Sequence, residues 1–90
     1  MIPEKPTREE IEAIKAAFPA GTAVELLEMH DPYRTLQTGS RGVVNAVDDI
    51  GTLHVDWKDA GSFGVVPGVD DVRREDDGVT LGEICLSLQR

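Results

Sequence analysis

Two stretches a few residues apart spell the same turn. Asp48-Asp49-Ile50-Gly51-Thr52 and Lys58-Asp59-Ala60-Gly61-Ser62 both follow the pattern x-Asp-x-Gly-Thr/Ser. In a hairpin built on a type I turn followed by one left-handed residue, Asp sits comfortably inside the turn and Gly takes the positive φ that a side chain resists. Each glycine therefore ends a turn and starts a strand. Between the turns Leu53, Val55 and Trp57 alternate with Thr52, His54 and Asp56, the period of a strand with one buried and one wet face. Before them, Gly42 to Val47 reads as a strand in which Asn45 interrupts the face of Val43 and Val47, the mark of a β-bulge. After them, Ser62 to Val66 reads as a third strand. Pro67 stops it, because a missing N–H cannot serve a ladder, and Pro67-Gly68 suits the centre of a type II turn.

The flanks add a helix and two more strands. Residues 1–6, with two prolines, read as a flexible arm. Thr7-Arg8-Glu9-Glu10 has the form of a capping box, Thr7 as N-cap and Glu10 reaching back, with acidic residues at the positive end of the dipole. A helix over residues 7–18 follows, its apolar stripe made by Ile11, Ile14, Ala17 and Phe18 and its end by Pro19 to Gly21. That stripe needs cover, either from the sheet or from another protein. Thr22 to Met29 reads as the first strand, and His30 to Ser40 as a long loop of the kind on which small barrels place function. Val69 to Arg74 makes a short last strand. In the tail over 76–90, Leu81, Ile84, Cys85 and Leu88 fit a helical face and Thr80, Gly82, Ile84, Leu86 and Leu88 a strand face; the helix from about Leu81 is preferred.

Five short strands joined by tight turns over residues 20–75 leave open edges unless the sheet curls, so the expected fold is mainly β, a small five-stranded barrel preceded by a helix. Its 90 residues make one domain with a small core, in which the few aromatic residues weigh heavily. A single cysteine leaves no intramolecular disulfide and no Cys-based zinc site. The N-terminus lacks the cationic start and apolar run of a signal peptide, and no apolar stretch approaches the roughly 18 residues of a membrane span. A cytoplasmic protein without membrane contact is the expectation. Net charge is −8, which repels phosphate backbones, disfavours nucleic-acid binding and favours basic protein partners.

The run from Ala20 to Val72 resembles a family of short bacterial and phage proteins known only as domain of unknown function 4314. The resemblance rests on Pro19-Ala20-Gly21-Thr22, Asp31-Pro32-Tyr33, Gly39-Ser40-Arg41-Gly42, VDDIGTLHVDW from Val47 to Trp57, and PGVD from Pro67 to Asp70. It implies a small SH3-like β-barrel, often preceded by a short helix, with no established activity. The chain departs from the family pattern at Arg34 to Thr38, where a proline-rich segment is usual, and after Arg74.

Catalytic and metal chemistry find little support in the residues. His30 and His54, paired with Asp31 or Asp56, lack a nucleophile or a third ligand at motif spacing and read as surface histidines. Asp48-Asp49, Asp70-Asp71 and Asp76-Asp77-Gly78 lack the alternating ligands and distal Glu of an EF-hand; turn chemistry explains the first pair, capping or solubility the others. Gly39-Ser40-Arg41-Gly42 has no following helix to aim N–H groups at phosphate. Cys85 reads as a small buried hydrophobe. No enzyme, no cofactor and no metal is expected.

The sharpest site is an aromatic groove for an extended peptide, built from Asp31, Pro32, Tyr33, Trp57 and Pro67, with Asp31, Asp48 and Asp49 to meet its Arg or Lys. Against it stands the plainer reading that Trp57 belongs to the core and Tyr33 pins its loop. The expected function is a non-catalytic binding or adaptor module, self-association being open. The alternatives are an acidic mimic of nucleic acid from a phage or mobile element, and a nucleic-acid-binding barrel.

Overall fold

A computed structural model describes residues 6–29, 36–58 and 60–87. Thr7 caps helix α1 (Arg8–Ala17) as its sequence requires: its hydroxyl accepts from the Glu10 N–H at 3.1 Å, and the Glu10 carboxylate accepts from the Thr7 N–H at 3.2 Å. Ile14 and Phe18 are fully buried, so the stripe is covered within the chain. The strands are β1 (Ala23–Glu28), β2 (Arg41–Val47), β3 (Leu53–Trp57), β4 (Gly61–Val65) and β5 (Asp71–Arg74). The tail is helical, α2 running over Leu81–Ser87. It packs on α1 and β5 and puts Leu81 in the core.

One antiparallel sheet results, in the order β4-β3-β2-β1-β5. In β3 burial alternates without a fault: Leu53, Val55 and Trp57 in, His54 and Asp56 out. The register of β2 against β3 shifts between Val44 and Ala46, so Asn45 is the bulge, and its amide donates to the Asp56 carboxylate at 2.8 Å. Core side chains come from every element, with Val24 and Leu26 of β1, Val44 of β2, Val65 of β4 and Val72 of β5 joining the two helices.

The sheet curls without closing into a barrel. Its two outermost strands, β4 and β5, are joined by residues 66–70, which fold tightly: the Val69 and Asp70 N–H groups donate to the Val66 carbonyl at 3.1 and 2.9 Å. Four inter-strand spacings of a flat sheet come to about 19 Å, more than so compact a turn spans. Curling brings the two edges within reach of the linker, but β4 and β5 form no ladder with each other. The β5 edge is nevertheless occupied. Arg73 bridges Thr80, and the Arg74 N–H donates to the Val79 carbonyl at 2.8 Å.

The two matched turns close differently. Gly51 and Gly61 both take positive φ, 85° and 83°, as their pattern demands. In the first turn the Gly51 N–H donates to the Asp48 carbonyl at 3.0 Å; in the second the Ala60 N–H donates to the Trp57 carbonyl at 3.2 Å, and Gly61 already faces Trp57 across the ladder. Asp48 explains the offset. Its carboxylate accepts from the Ile50 and Thr52 N–H groups at 3.1 and 3.0 Å, and Lys58, at the matching position, has no acceptor to offer.

Arg74 fastens α1 to the sheet. Its guanidinium donates to the Ala17 carbonyl at 2.8 Å and to both oxygens of Asp76 at 3.2 and 3.1 Å. Asp71 does the same for α2, accepting from the Gly82 N–H at 3.0 Å.

Gly42 has the least room of the described glycines. A Cβ there would lie 2.7 Å from Val55 Cγ1 and 2.8 Å from the Asp56 carbonyl oxygen, whereas one at Gly61 meets open space. Replacing Gly42 by Ala forces backbone to move and should cost about 3 kcal/mol, against about 1 kcal/mol for Gly61→Ala from φ alone. Urea unfolding of the two variants reads the difference, and equal midpoints would contradict this packing.

Candidate functional site

Two turns meet at one end of the sheet. Gly51 is buried with Pro67 and Pro6 beside it, a Cβ on it falling 3.6 Å from Pro67 Cγ and 3.2 Å from Pro6 Cγ. The 48–52 turn and the 66–70 turn therefore touch through Gly51 and Pro67. Asp70 sets the second turn: it is 9 % exposed, and its carboxylate accepts from the Val66 N–H at 3.1 Å.

Asp48 and Asp49 play different parts on this surface. The Asp48 carboxylate is taken up inside its turn by Ile50 and Thr52 and on its other oxygen by His54 Nε2 at 2.9 Å. Burial pushes its pKa up, but the hydrogen bonds from His54, Thr52 and Ile50 prevail and hold it below the usual carboxylate value. Asp49 projects fully into solvent, 3.7 Å from the Lys15 ammonium. An ion pair so exposed contributes little, which leaves that carboxylate open to an incoming cation.

Apolar side chains stand beside it. Ile50 is 60 % exposed, Val66 42 % and Val69 37 %, and all three lie on the two touching turns. Isolated exposed hydrophobes are ordinary; three on two touching turns, one of which also carries the exposed Asp49 carboxylate, single out this end of the sheet. Val66 and Val69 escaped the reading of the sequence because it assigns them to strands, whereas β4 ends at Val65 and β5 begins at Asp71. Ile50 carried a signal in its type, since turns favour Gly, Asn, Asp and Ser over isoleucine.

The groove expected from the sequence is only partly assembled. Asp48, Asp49 and Pro67 come together, Pro67 itself being buried. Trp57 lies at the far end of β3, 3 % exposed, its indole N–H donating to the Phe63 carbonyl at 3.3 Å. It borders a separate open groove of about 460 Å³, floored by Ala23 and Val43 and rimmed by Arg41, Lys58 and Glu75. Asp31, Pro32 and Tyr33 lie outside the described residues, as does His30.

The Cys85 thiol is pushed up by burial and by the nearby negative charge of Glu10 and Asp71, away from the thiolate a nucleophile needs. Among the described residues, no three of His, Cys, Asp and Glu gather in a metal-holding arrangement.

A family model described as Domain of unknown function (DUF4314) matches residues 7–75. The chain belongs to that family. The DUF4314 match begins at the N-cap Thr7 and ends at Glu75, so it contains α1, all five strands and the 48–52 and 66–70 turns, and leaves out α2. No curated protein and no solved structure matches the chain.

Because the Asp48 carboxyl is depressed in the folded state, its contribution to stability is present above the ordinary carboxylate value of about 4 and is lost as pH falls through the folded value. Asp48→Ala removes two backbone hydrogen bonds and should cost about 1–2 kcal/mol at neutral pH. Chemical denaturation at pH 7 and pH 2.5 tests this: the gap between variant and parent should shrink in acid, and a gap that widens there would refute the role given to Asp48.

Proposed function

We propose that this DUF4314 chain is a non-catalytic protein-binding module that docks a short basic-apolar segment of a partner at the Ile50, Val66 and Val69 end of the sheet. The observation that carries this reading is the presence of three exposed aliphatic side chains and the solvent-facing carboxylate of Asp49 on two touching turns, one braced by Asp48 and the other by the buried Asp70. Such a surface offers apolar area to a partner's aliphatic residue and a charge to its Lys or Arg, with little ordering cost because Asp48 and Asp70 already hold the turns. The net charge of −8 adds attraction at long range.

The arrangement of charge favours this over a mimic of nucleic acid. A mimic presents unpaired carboxylates on one face. Here Glu25 pairs with Arg73, Glu75 with Arg41, Asp76 and Asp77 with Arg74, and the remaining described acids are divided among both helices, the turns and the sheet. A soluble reducing compartment and a phage or mobile-element origin fit the single cysteine and the family resemblance. No helix among the described residues is long and apolar enough to cross a membrane.

Peptide display against the folded domain provides the test. Selected peptides should place Lys or Arg beside an aliphatic residue and shift the amide resonances of Ile50, Val66 and Val69. The pair Ile50→Lys with Val66→Lys should weaken them at least tenfold while the spectrum stays folded. Peptides that ignore this double change, or that map elsewhere, would overturn the assignment.

A further inference from the structure

The two edges of the sheet are not alike. The β5 edge carries Asp71, Arg73 and Arg74 and is bonded by Val79 and Thr80. The β4 edge, Gly61-Ser62-Phe63-Gly64-Val65, has no charged side chain, no proline and no bulge against β3. These are the devices by which proteins protect an exposed edge from pairing, and β4 has none of them.

The register shows which groups that edge offers. The Lys58 N–H donates to the Arg41 carbonyl at 2.9 Å and the Asp48 N–H to the Thr52 carbonyl at 3.1 Å, so the even-numbered residues of β3 bond to β2. Alternation in an antiparallel ladder then turns Leu53, Val55 and Trp57 toward β4, opposite Val65, Phe63 and Gly61. Ser62 and Gly64 are left with their N–H and C=O groups pointing away from the sheet. Their side chains put nothing in the way: the Ser62 hydroxyl is turned to Asp56, and Gly64 has none.

We infer that the partner segment adds to the sheet as a sixth strand along β4, its backbone pairing with Ser62 and Gly64 and its end reaching Val66 beside the Ile50 and Val69 surface. This inference rests on the binding reading above and specifies how the segment is held. Charge decides between occupants. A second copy would bring −8 against −8 and pair only a five-residue strand, less than a stable dimer buries. Across β3 and β4 the only ionisable side chains are His54 and Asp56, with Asp48 and Asp49 at the Val65 end and Lys58 at the Gly61 end, so the acidic end favours an extended segment that carries Lys or Arg there.

The probe is a blocked octapeptide alternating valine with lysine, compared with two versions in which one or the other alternate set of amides is N-methylated. The parent peptide should slow hydrogen exchange at Ser62 and Gly64 at least tenfold, and at least one methylated version should bind at least tenfold more weakly, although its side chains are unchanged. On the protein, Ser62→Pro should weaken binding at least tenfold and Ser62→Ala should not; if Ser62→Pro fails to fold, the methylated peptides decide. If both methylated peptides bind as the parent does and Ser62 and Gly64 exchange freely, while Ile50, Val66 and Val69 still shift, strand addition is overturned and the docking surface stands. If the peptide shifts neither set, both are overturned.

Discussion

Three side chains on one face of β3 hold this molecule together. Leu53, Val55 and Trp57 can be buried at once only if the strand lies between two neighbours and under a cover of helix, and every other element serves that requirement. Burying three such side chains contributes on the order of 5–8 kcal/mol, comparable with the whole net stability of a small domain. Gly42 lets the neighbouring strand approach, Val44 and Val65 flank the row, and Ile14, Phe18 and Leu81 close it from above. The opposite face of the strand is spent on polar work. Asp56 gathers Asn45 and Ser62, and His54 reaches back to Asp48.

The elements themselves were legible in the residues because each had a local cause. The Thr7 to Glu10 spacing names its own cap, the alternation around His54 and Asp56 can be read only as a strand, and Asn45 betrays its bulge by interrupting an apolar face. What local causes do not carry is the relation between elements. Nothing in the two glycine turns shows that one closes on Asp48 and the other on Trp57, since the difference comes from a side chain accepting backbone N–H groups. The curl without closure has a similar origin. Val79 and Thr80 occupy the β5 edge that β4 would have to pair with, a contact between segments that the pattern of a barrel does not contain.

The candidate site shows the same division. Asp48, Asp49 and Pro67 were recognisable as turn residues and are brought together, but a strand's length separates them from Trp57, whose size suggested a binding role and whose 3 % exposure makes it a core residue. Residue type alone thus joined groups that lie at opposite ends of β3. The exposure of Ile50, Val66 and Val69 became visible only once the two turns were seen to touch.

The seal that Val79 and Thr80 place on β5 limits what this protein can build. A sheet open on both sides can accept a strand on one edge and offer the other to the next molecule, which is the geometry of a growing fibre. With one side shut, a single addition at β4 would leave no second edge for the next molecule. A short return of chain outside the span matched by the family model thus leaves the sheet one open edge instead of two, and a stack cannot propagate through it.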